Sequence, residues 1–407
     1  MKKHEKDMFM AKKIAECVCA NGGRTFFVGG LVRDRILGKE NKDVDIEIHG
    51  IPVTKLMSIL NTLGEIDERK VGENFGIMAL RGYDIDIAMP RSEKPTGAGD
   101  HKGFIIDVDP YIGVENAARR RDFTINALME DVITGEIVDC FGGCEDIEKG
   151  IIRHVDSSTY GDDPLRVLRA AQFAARFGFS IADETVQLSK RMDLSKLSKE
   201  RIAGELSKAL LKAEKPSIFF NEMRRMEQMR YWFHEIETLK LDVLDKAVKF
   251  RDSASSTKYF MVSALCCEMD AKSASEFVMR IFYDKSMEKY ACNMNAMLDE
   301  PTFFVNGDKK EFFEMCDRST NVKDLIMLAS LKNDYDVAKA MELVREYDLI
   351  MSELYITGDD LIANGYIPDQ RFRGMLEFAH ACHLAGVPRE TALEQLFERF
   401  PKKVCCY

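Results

Sequence analysis

Apolar positions in the first 150 residues follow two different periods, and their order predicts a mixed fold. Residues Met8 to Ala20 repeat at helical spacing, with Phe9, Ile14 and Val18 assigned to one face. An apolar strand follows to Val28, then Gly29-Gly30, a short helix carrying Arg33, and a strand in which Val44, Ile46 and Ile48 alternate with polar residues. Pro52 opens another helix, with Val53, Leu56, Ile59, Leu60 and Leu63 as its apolar positions. Phe75 to Leu80 and Tyr83 to Met89 read as a hairpin, and the polar, Gly- and Pro-rich stretch Pro90 to Asp100 reads as a mobile loop between strands. Ile137 to Phe141 and a Gly-Gly turn complete a small sheet domain near residue 150.

From Gly161 the period becomes helical. Asp163 and Pro164 read as cap and first position of a helix whose buried stripe is Leu165, Leu168, Ala171 and Ala174, and Gly178 closes it. Leu197 to Lys208 predict a capped amphipathic helix with Arg201, Glu205 and Lys208 on a shared face. Helix then follows helix to the C terminus, with no obvious strand and no repeat. The fold class expected is α+β, a mixed-sheet head followed by an all-α remainder.

Composition adds limits. A chain of 407 residues predicts two or more domains. The net charge of −10 does not exclude a nucleic-acid partner if basic residues cluster. The lysines and arginines from Arg191 to Arg225 are either such a phosphate-tracking stripe or a solvated helical face. Eleven cysteines, including the pairs Cys266-Cys267 and Cys405-Cys406, suit a bridged secreted protein poorly. The first residues lead into an amphipathic helix without a signal peptide, so reduced thiols in a cytoplasm are expected. Cys140 and Cys144 have the spacing of half a zinc site but find no second half, and read as ordinary packing. No apolar run approaches the length of a membrane span.

The candidate chemistry begins at the first strand-to-helix turn. Gly29 and Gly30 remove Cβ atoms where a triphosphate could approach backbone N–H groups, and Arg33 can add a fork of donors to the same anion. In the next strand Asp43 and Asp45 point the same way, and two such carboxylates repel unless a cation sits between them. Mg²⁺ accepts one or two carboxylates plus substrate phosphates, the arrangement that nucleotidyl transfer needs. One of Asp84 and Asp86 could supply a third carboxylate, and Arg91 and Glu93 either touch nucleotide or RNA or belong to a solvated turn. Arg120, Arg121 and Asp122 are followed directly by the apolar Phe123 and Ile125, an unusual setting for a free basic face. On the helix from Gly161 to Phe179, Asp163, Arg166 and Arg169 recur at three-residue steps, either as functional groups or as a surface ion pair of little energetic weight.

Taken in order, Gly29-Gly-Leu-Val-Arg-Asp with Asp43-Val-Asp45, Arg120-Arg-Asp-Phe-Thr-Ile-Asn-Ala, Asp162-Asp-Pro-Leu-Arg-Val-Leu-Arg and Glu200-Arg-Ile with Glu205-Leu and Lys208 resemble the motifs of class II tRNA nucleotidyltransferases. That family holds the bacterial and eukaryotic CCA-adding enzymes, bacterial poly(A) polymerases, and specialised CC-adding and A-adding enzymes. The motifs span Phe26 to about Leu211, with a weaker resemblance at Ile356 to Gly365. The resemblance implies a polymerase β-like nucleotidyltransferase head (1–150), an α-helical neck with a base-selecting helix (151–212), a helical body (213–350) and an RNA-binding helical tail (351–407). It implies Mg²⁺ on Asp43 and Asp45, with Asp86 as the third catalytic carboxylate. Nucleotide contacts are implied for Gly29, Gly30, Arg33, Arg121 and Arg169, with Asp163 and Arg166 as an amino-acid template for the base. The expected activity is addition of CMP and AMP, from CTP and ATP, to the 3′ end of tRNA. CC-only addition, A-only addition, poly(A) synthesis and a non-catalytic RNA-binding protein are the alternatives.

The template also makes chemical sense. Cytosine and adenine each present an exocyclic amino donor beside a ring-nitrogen acceptor, which a carboxylate and a guanidinium can read together. Uracil and guanine reverse that pattern and leave buried groups unpaired. The loop from Arg91 to Phe104 is long enough to serve the switch from C to A that the family attributes to a flexible element, which favours full CCA addition. Two departures stand out. Gln172 occupies a position where many relatives carry arginine, and Ala264-Leu-Cys-Cys-Glu-Met-Asp lacks the His-Asp pair of a body phosphohydrolase.

Overall fold

The computed structural model describes residues 3–67, 77–95 and 104–401. Phe75, the middle of the expected loop from 96 to 103, and the Cys405-Cys406 pair lie outside the described residues.

Helix α1 (Lys3–Cys19) buries Met10, Ala11, Ile14, Ala15 and Val18, a stripe at steps of three and four. Phe9 does not join it and is 53% exposed, contrary to expectation. Five residues separate Phe9 from Ile14, which turns it about 140° away at 100° per residue. Strand β1 (Arg24–Val28) leads through Gly29 into helix α2 (Gly30–Ile36), followed by strand β2 (Val44–His49) and helix α3 (Val53–Leu63). Strands β3 (Ile77–Met78) and β4 (Ile85–Ala88) pair antiparallel, the described part of the expected hairpin.

Strand β5 (Arg91–Pro95) pairs antiparallel with β6 (Phe104–Val108). This corrects the loop reading for residues 91–95. Their composition favours a loop, but a partner strand with free edge groups overrides local propensity. Helix α4 (Val114–Arg119) ends at the three arginines, and β7 (Met129–Asp131), β8 (Ile137–Val138) and helix α5 (Gly143–Lys149) follow. The main sheet runs β3-β4-β2-β1-β7-β8, with β1 antiparallel to both neighbours and β2 parallel to β4.

Strand β9 (Ile151–Ile152) precedes helix α6 (Leu165–Phe177) and pairs in parallel with β10 (Ser180–Ile181), a short strand missing from the expected all-helical remainder. Two residues are too few to show a period of two. In α6 the stripe Leu165, Leu168, Ala171 and Ala174 is buried as expected, Asp163 Oδ1 accepts the Leu165 N–H at 3.0 Å, and Gly178 closes the helix in the left-handed region at φ 72°. Helices α7 (Asp183–Lys190) and α8 (Lys199–Lys212) come next.

The chain forms two compact units, Met1–Arg201 with Ile218–Tyr231, and Ile202–Ser217 with Trp232–Tyr407. The first therefore joins the expected head to most of the expected neck. Among the described residues of the second, helices predominate. The helix Thr257–Cys266, on the segment that lacks a His-Asp pair, buries Phe260 to Cys266 without interruption. Near its end Ile356, Leu361, Tyr366, Met375 and Leu396 form a local core, and Thr357 and Asp360 cap the helix Gly358–Ala363 reciprocally. No described helix is long and apolar enough to cross a membrane.

Candidate active site

Both faces of β2 are covered, which sets the character of the site. Val44, Ile46 and Ile48 enter the core on one face, while Asp45, Glu47 and His49 alternate on the other. The parallel ladder places Asp86 of β4 directly beside Asp45. Asp84 does not share that position, because its carboxylate pairs with Lys3 at 2.9 Å and its N–H donates to the buried Asp7 at 3.2 Å. Of the two acids left open by the sequence, Asp86 is the one in register with Asp45. Asp43 stands exposed just before β2, its N–H bonded to Asn41 Oδ1 at 2.9 Å.

Burial, with Asp86 and Asp43 nearby, pushes the Asp45 carboxyl up to about 6, and Arg121 opposes the shift. A cation would relieve that repulsion. Among the described residues no three His, Cys, Asp or Glu side chains form a ready metal cage. The acids present are hard oxygen donors, which suits a divalent ion that completes its shell with phosphate and water.

Asp45 and Asp86 line a cleft of about 290 Å³ together with Val28, Glu47, Arg91, Arg120 and Arg121. Carboxylates and guanidiniums both line it. Glu47 is fully buried and holds the arginines, with Oε2 accepting from Arg120 Nη2 at 3.1 Å and from Arg121 Nη2 at 3.2 Å, while Oε1 lies 3.0 Å from His49 Nε2. Burial alone would raise the Glu47 carboxyl, but His49, Arg121 and Arg120 outweigh it and hold it down to about 2. Arg121 Nε is buried with no acceptor among the described residues, so donor capacity remains beside the cleft.

Gly29 adopts φ 67° between β1 and α2, and a Cβ there would lie 3.4 Å from Arg121 Nη1. A Cβ on Gly30 would lie 3.3 Å from Asn41 Nδ2. The two glycines thus admit polar side chains close to the turn. Arg33 turns inward rather than toward the cleft. It is 3% exposed, donates from Nε to Asp34 Oδ1 at 2.7 Å and from Nη1 to Asn126 Oδ1 at 2.6 Å, and lies over the Phe173 and Phe177 rings.

The same network gathers the other motifs. Asn126 Nδ2 donates to Asp122 Oδ1 at 3.0 Å, and Asp122 Oδ2 accepts from Arg169 Nε at 2.7 Å. Asp163 accepts from Arg201 Nη2 at 2.8 Å, and Arg166 donates to the carbonyls of Thr159 and Arg120 at 2.8 and 3.0 Å. Asp45, Asp86 and Arg121 therefore share one cleft, which Asp163, Arg166 and Arg169 do not line. Arg166 nonetheless joins α6 to the backbone of a cleft arginine. Gln172 is 1% exposed, with no partner for Nε2 among the described residues. Glu47 and Asn126 carry no signal of their own in the sequence beyond their spacing, Glu47 on the strand face of Asp45 and Asn126 four residues after Asp122.

Residues 25–153 match the family described as Poly A polymerase head domain, and residues 178–239 match the Probable RNA and SrmB- binding site of polymerase A. Relatives named Multifunctional CCA protein include one from Haemophilus ducreyi, 37% identical over 53% of this chain and 51% of its own length. Another, from Nitrosococcus oceani, is 38% identical over the same shares. The chain spans about half the length of these curated relatives. Similar solved structures include the Thermotoga maritima CCA-adding enzyme complexed with tRNA, at 20% identity and TM-score 0.69 over 96% of this chain and 95% of that one. The Bacillus stearothermophilus CCA-adding enzyme in complex with CTP has TM-score 0.71 at 22% identity over 98% of both. At that identity the likeness speaks for the fold. The head and the RNA-binding segment thus match the poly(A) polymerase family models, nucleotidyltransferases that generally use divalent metal ions, and the chain shares the fold of the CCA-adding enzymes.

Proposed function

We propose that this chain adds CMP and AMP, from CTP and ATP, to the 3′ end of tRNA in the cytoplasm. The observation that carries the reading is the register of Asp45 and Asp86 on adjacent strands, in one cleft with Arg120 and Arg121. A binding module has no need of paired carboxylates aimed at an anionic ligand. The relatives' printed name, Multifunctional CCA protein, and neighbours solved with tRNA, ATP and CTP support the choice of substrate.

Asp43 and Asp45 would hold Mg²⁺, with Asp86 as the third catalytic carboxylate, and the ion when bound neutralises triphosphate charge and lowers the pKa of the terminal ribose hydroxyl. The cleft's guanidiniums offer donors to the phosphates, with Arg121 beside the Gly29-Gly30 turn. Arg33 and Arg169 act on the nucleotide from the network that ties this turn to α6. Asp163 and Arg166 read the base. Each has further hydrogen-bonding capacity beyond its protein partners, the carboxylate for an exocyclic amine and the guanidinium for a ring nitrogen. The helical body and tail would hold the rest of the tRNA.

The deciding experiment supplies tRNA transcripts ending before CCA or after CC with CTP and ATP, singly and together. The first transcript should grow by three nucleotides with both substrates and by CC with CTP alone, and the second by one A. Growth by CC alone, by A alone, or into a long tail would assign one of the specialised activities. No growth under any condition would overturn the reading.

A further inference from the structure

We propose that Glu47 is a positioning residue for nucleotidyl transfer, holding Arg120 and Arg121 toward the nucleotide and away from the acid pair Asp45 and Asp86. The inference rests on the functional reading above and adds a residue to its machinery.

Two acids on one strand face compete for the same cations. Glu47 follows Asp45 by two residues on β2, a rise of about 7 Å, and both line the cleft with Arg120 and Arg121. An arginine lying directly against Asp45 would occupy the place of a cation and cancel the charge that makes the pair useful. Glu47 supplies the arginines with another anchor. Its Oε2 accepts from both guanidiniums at 3.1 and 3.2 Å, while its Oε1 is engaged by His49 at 3.0 Å. His49 is itself fixed, with its ring edge-on to Phe26 at 5.2 Å between centroids.

A role confined to packing would be served by an apolar side chain, as at Ile46 and Ile48 on the opposite face. An ionised carboxylate taken fully out of water is retained when it has cations to hold. Arg121 is held through Nη2, while Nε has no acceptor among the described residues and Nη1 stands over Gly29. One edge of the guanidinium is therefore anchored while donors beside the glycine turn remain for phosphate.

The test compares Glu47→Gln, Arg121→Gln and the double variant with the unmodified chain. Steady-state incorporation is measured against nucleotide and Mg²⁺ concentration on tRNA ending before CCA, and fluorescent ATP analogue binding is measured without RNA. Gln keeps the shape of Glu47 but removes its charge. The nucleotide KM and the Mg²⁺ concentration for half-maximal rate should each rise roughly tenfold, the loss of one charged hydrogen bond, with a smaller change in kcat. The double variant should lose clearly less than the product of the two single losses, because Glu47 acts in part through Arg121 and keeps only Arg120 to position once that arginine is gone. Glu47→Asp, which keeps the charge and withdraws it by one methylene, should show the same pattern at smaller size and serves if Gln prevents folding.

Unchanged KM and Mg²⁺ requirement in the Gln and Asp variants, or losses that add fully in the double variant, overturn the positioning role while leaving the functional reading intact. An unmodified chain that binds the analogue but extends no tRNA overturns the functional reading, and this inference with it.

Discussion

At the scale of the residue, alternation along one strand decides most of the chemistry. Asp45 and Asp86 face each other in register, whereas Asp84 pairs with Lys3. Asp45→Asn and Asp86→Asn are each expected to slow nucleotide incorporation by on the order of 10²–10³-fold, the scale of losing a group that organises transition-state charge. Asp84→Asn should change the rate by less than about threefold, since an exposed ion pair contributes little. Single-turnover incorporation by the three variants checks the assignment, and equal losses would remove the distinction. For Asp163→Ala the expected change is in selection, with discrimination against UTP falling by roughly tenfold or more for the loss of one base contact of ~1–3 kcal/mol. Competition between CTP and UTP measures it. Asp45 was legible in sequence as the polar face of an alternating strand, whereas Asp43 stands just before β2, where alternation does not fix its direction. Glu47 was not legible, because a glutamate in an alternating strand also fits a solvated edge, and only His49 and the arginines after α4, Arg120 and Arg121, give it buried partners.

At the scale of the element, caps and stripes placed α6 from Leu165 to Phe177 within a residue of its observed ends. Its interior is conventional, so Leu168→Ala should destabilise the fold by about 2–5 kcal/mol, read as a shift in denaturant midpoint. What α6 adds is a tie to the arginine segment. Asp122, between Arg169 and Asn126, is half-buried, and burial alone would raise its carboxyl. Arg169, Asn126 and the Phe123 N–H reverse that and hold it below the usual carboxylate range. Its stabilising contribution is therefore full above the ordinary carboxylate value and is lost as pH falls through the lower folded value. Stability should decline from about pH 4 downward, and Asp122→Asn should flatten that decline, as urea midpoints at several pH values would show. The elements that sequence missed are those whose partners lie far along the chain. Residues 91–95 become a strand only against Phe104–Val108, and Ser180–Ile181 only against Ile151–Ile152.

At the scale of the whole molecule, an acidic chain proposed to bind tRNA must do so through local basic surfaces. Its affinity for tRNA should fall steeply with added salt, measured by filter binding from low to physiological ionic strength. A flat salt response would remove phosphate contacts from the account. The mixed-sheet head, the helical remainder, the order of motifs and the place of Asp45 on a polar strand face could be read from sequence, because periodicity, caps and side-chain alternation are local properties. The tertiary structure decided which third acid stands in register and drew Arg33 and Arg169 into a shared polar network. It also joined the head and most of the neck into one unit, and gave Glu47 two arginines to hold. Those outcomes depend on contacts between segments far apart in the chain, where burial and competing charges, rather than local pattern, fix what each side chain meets.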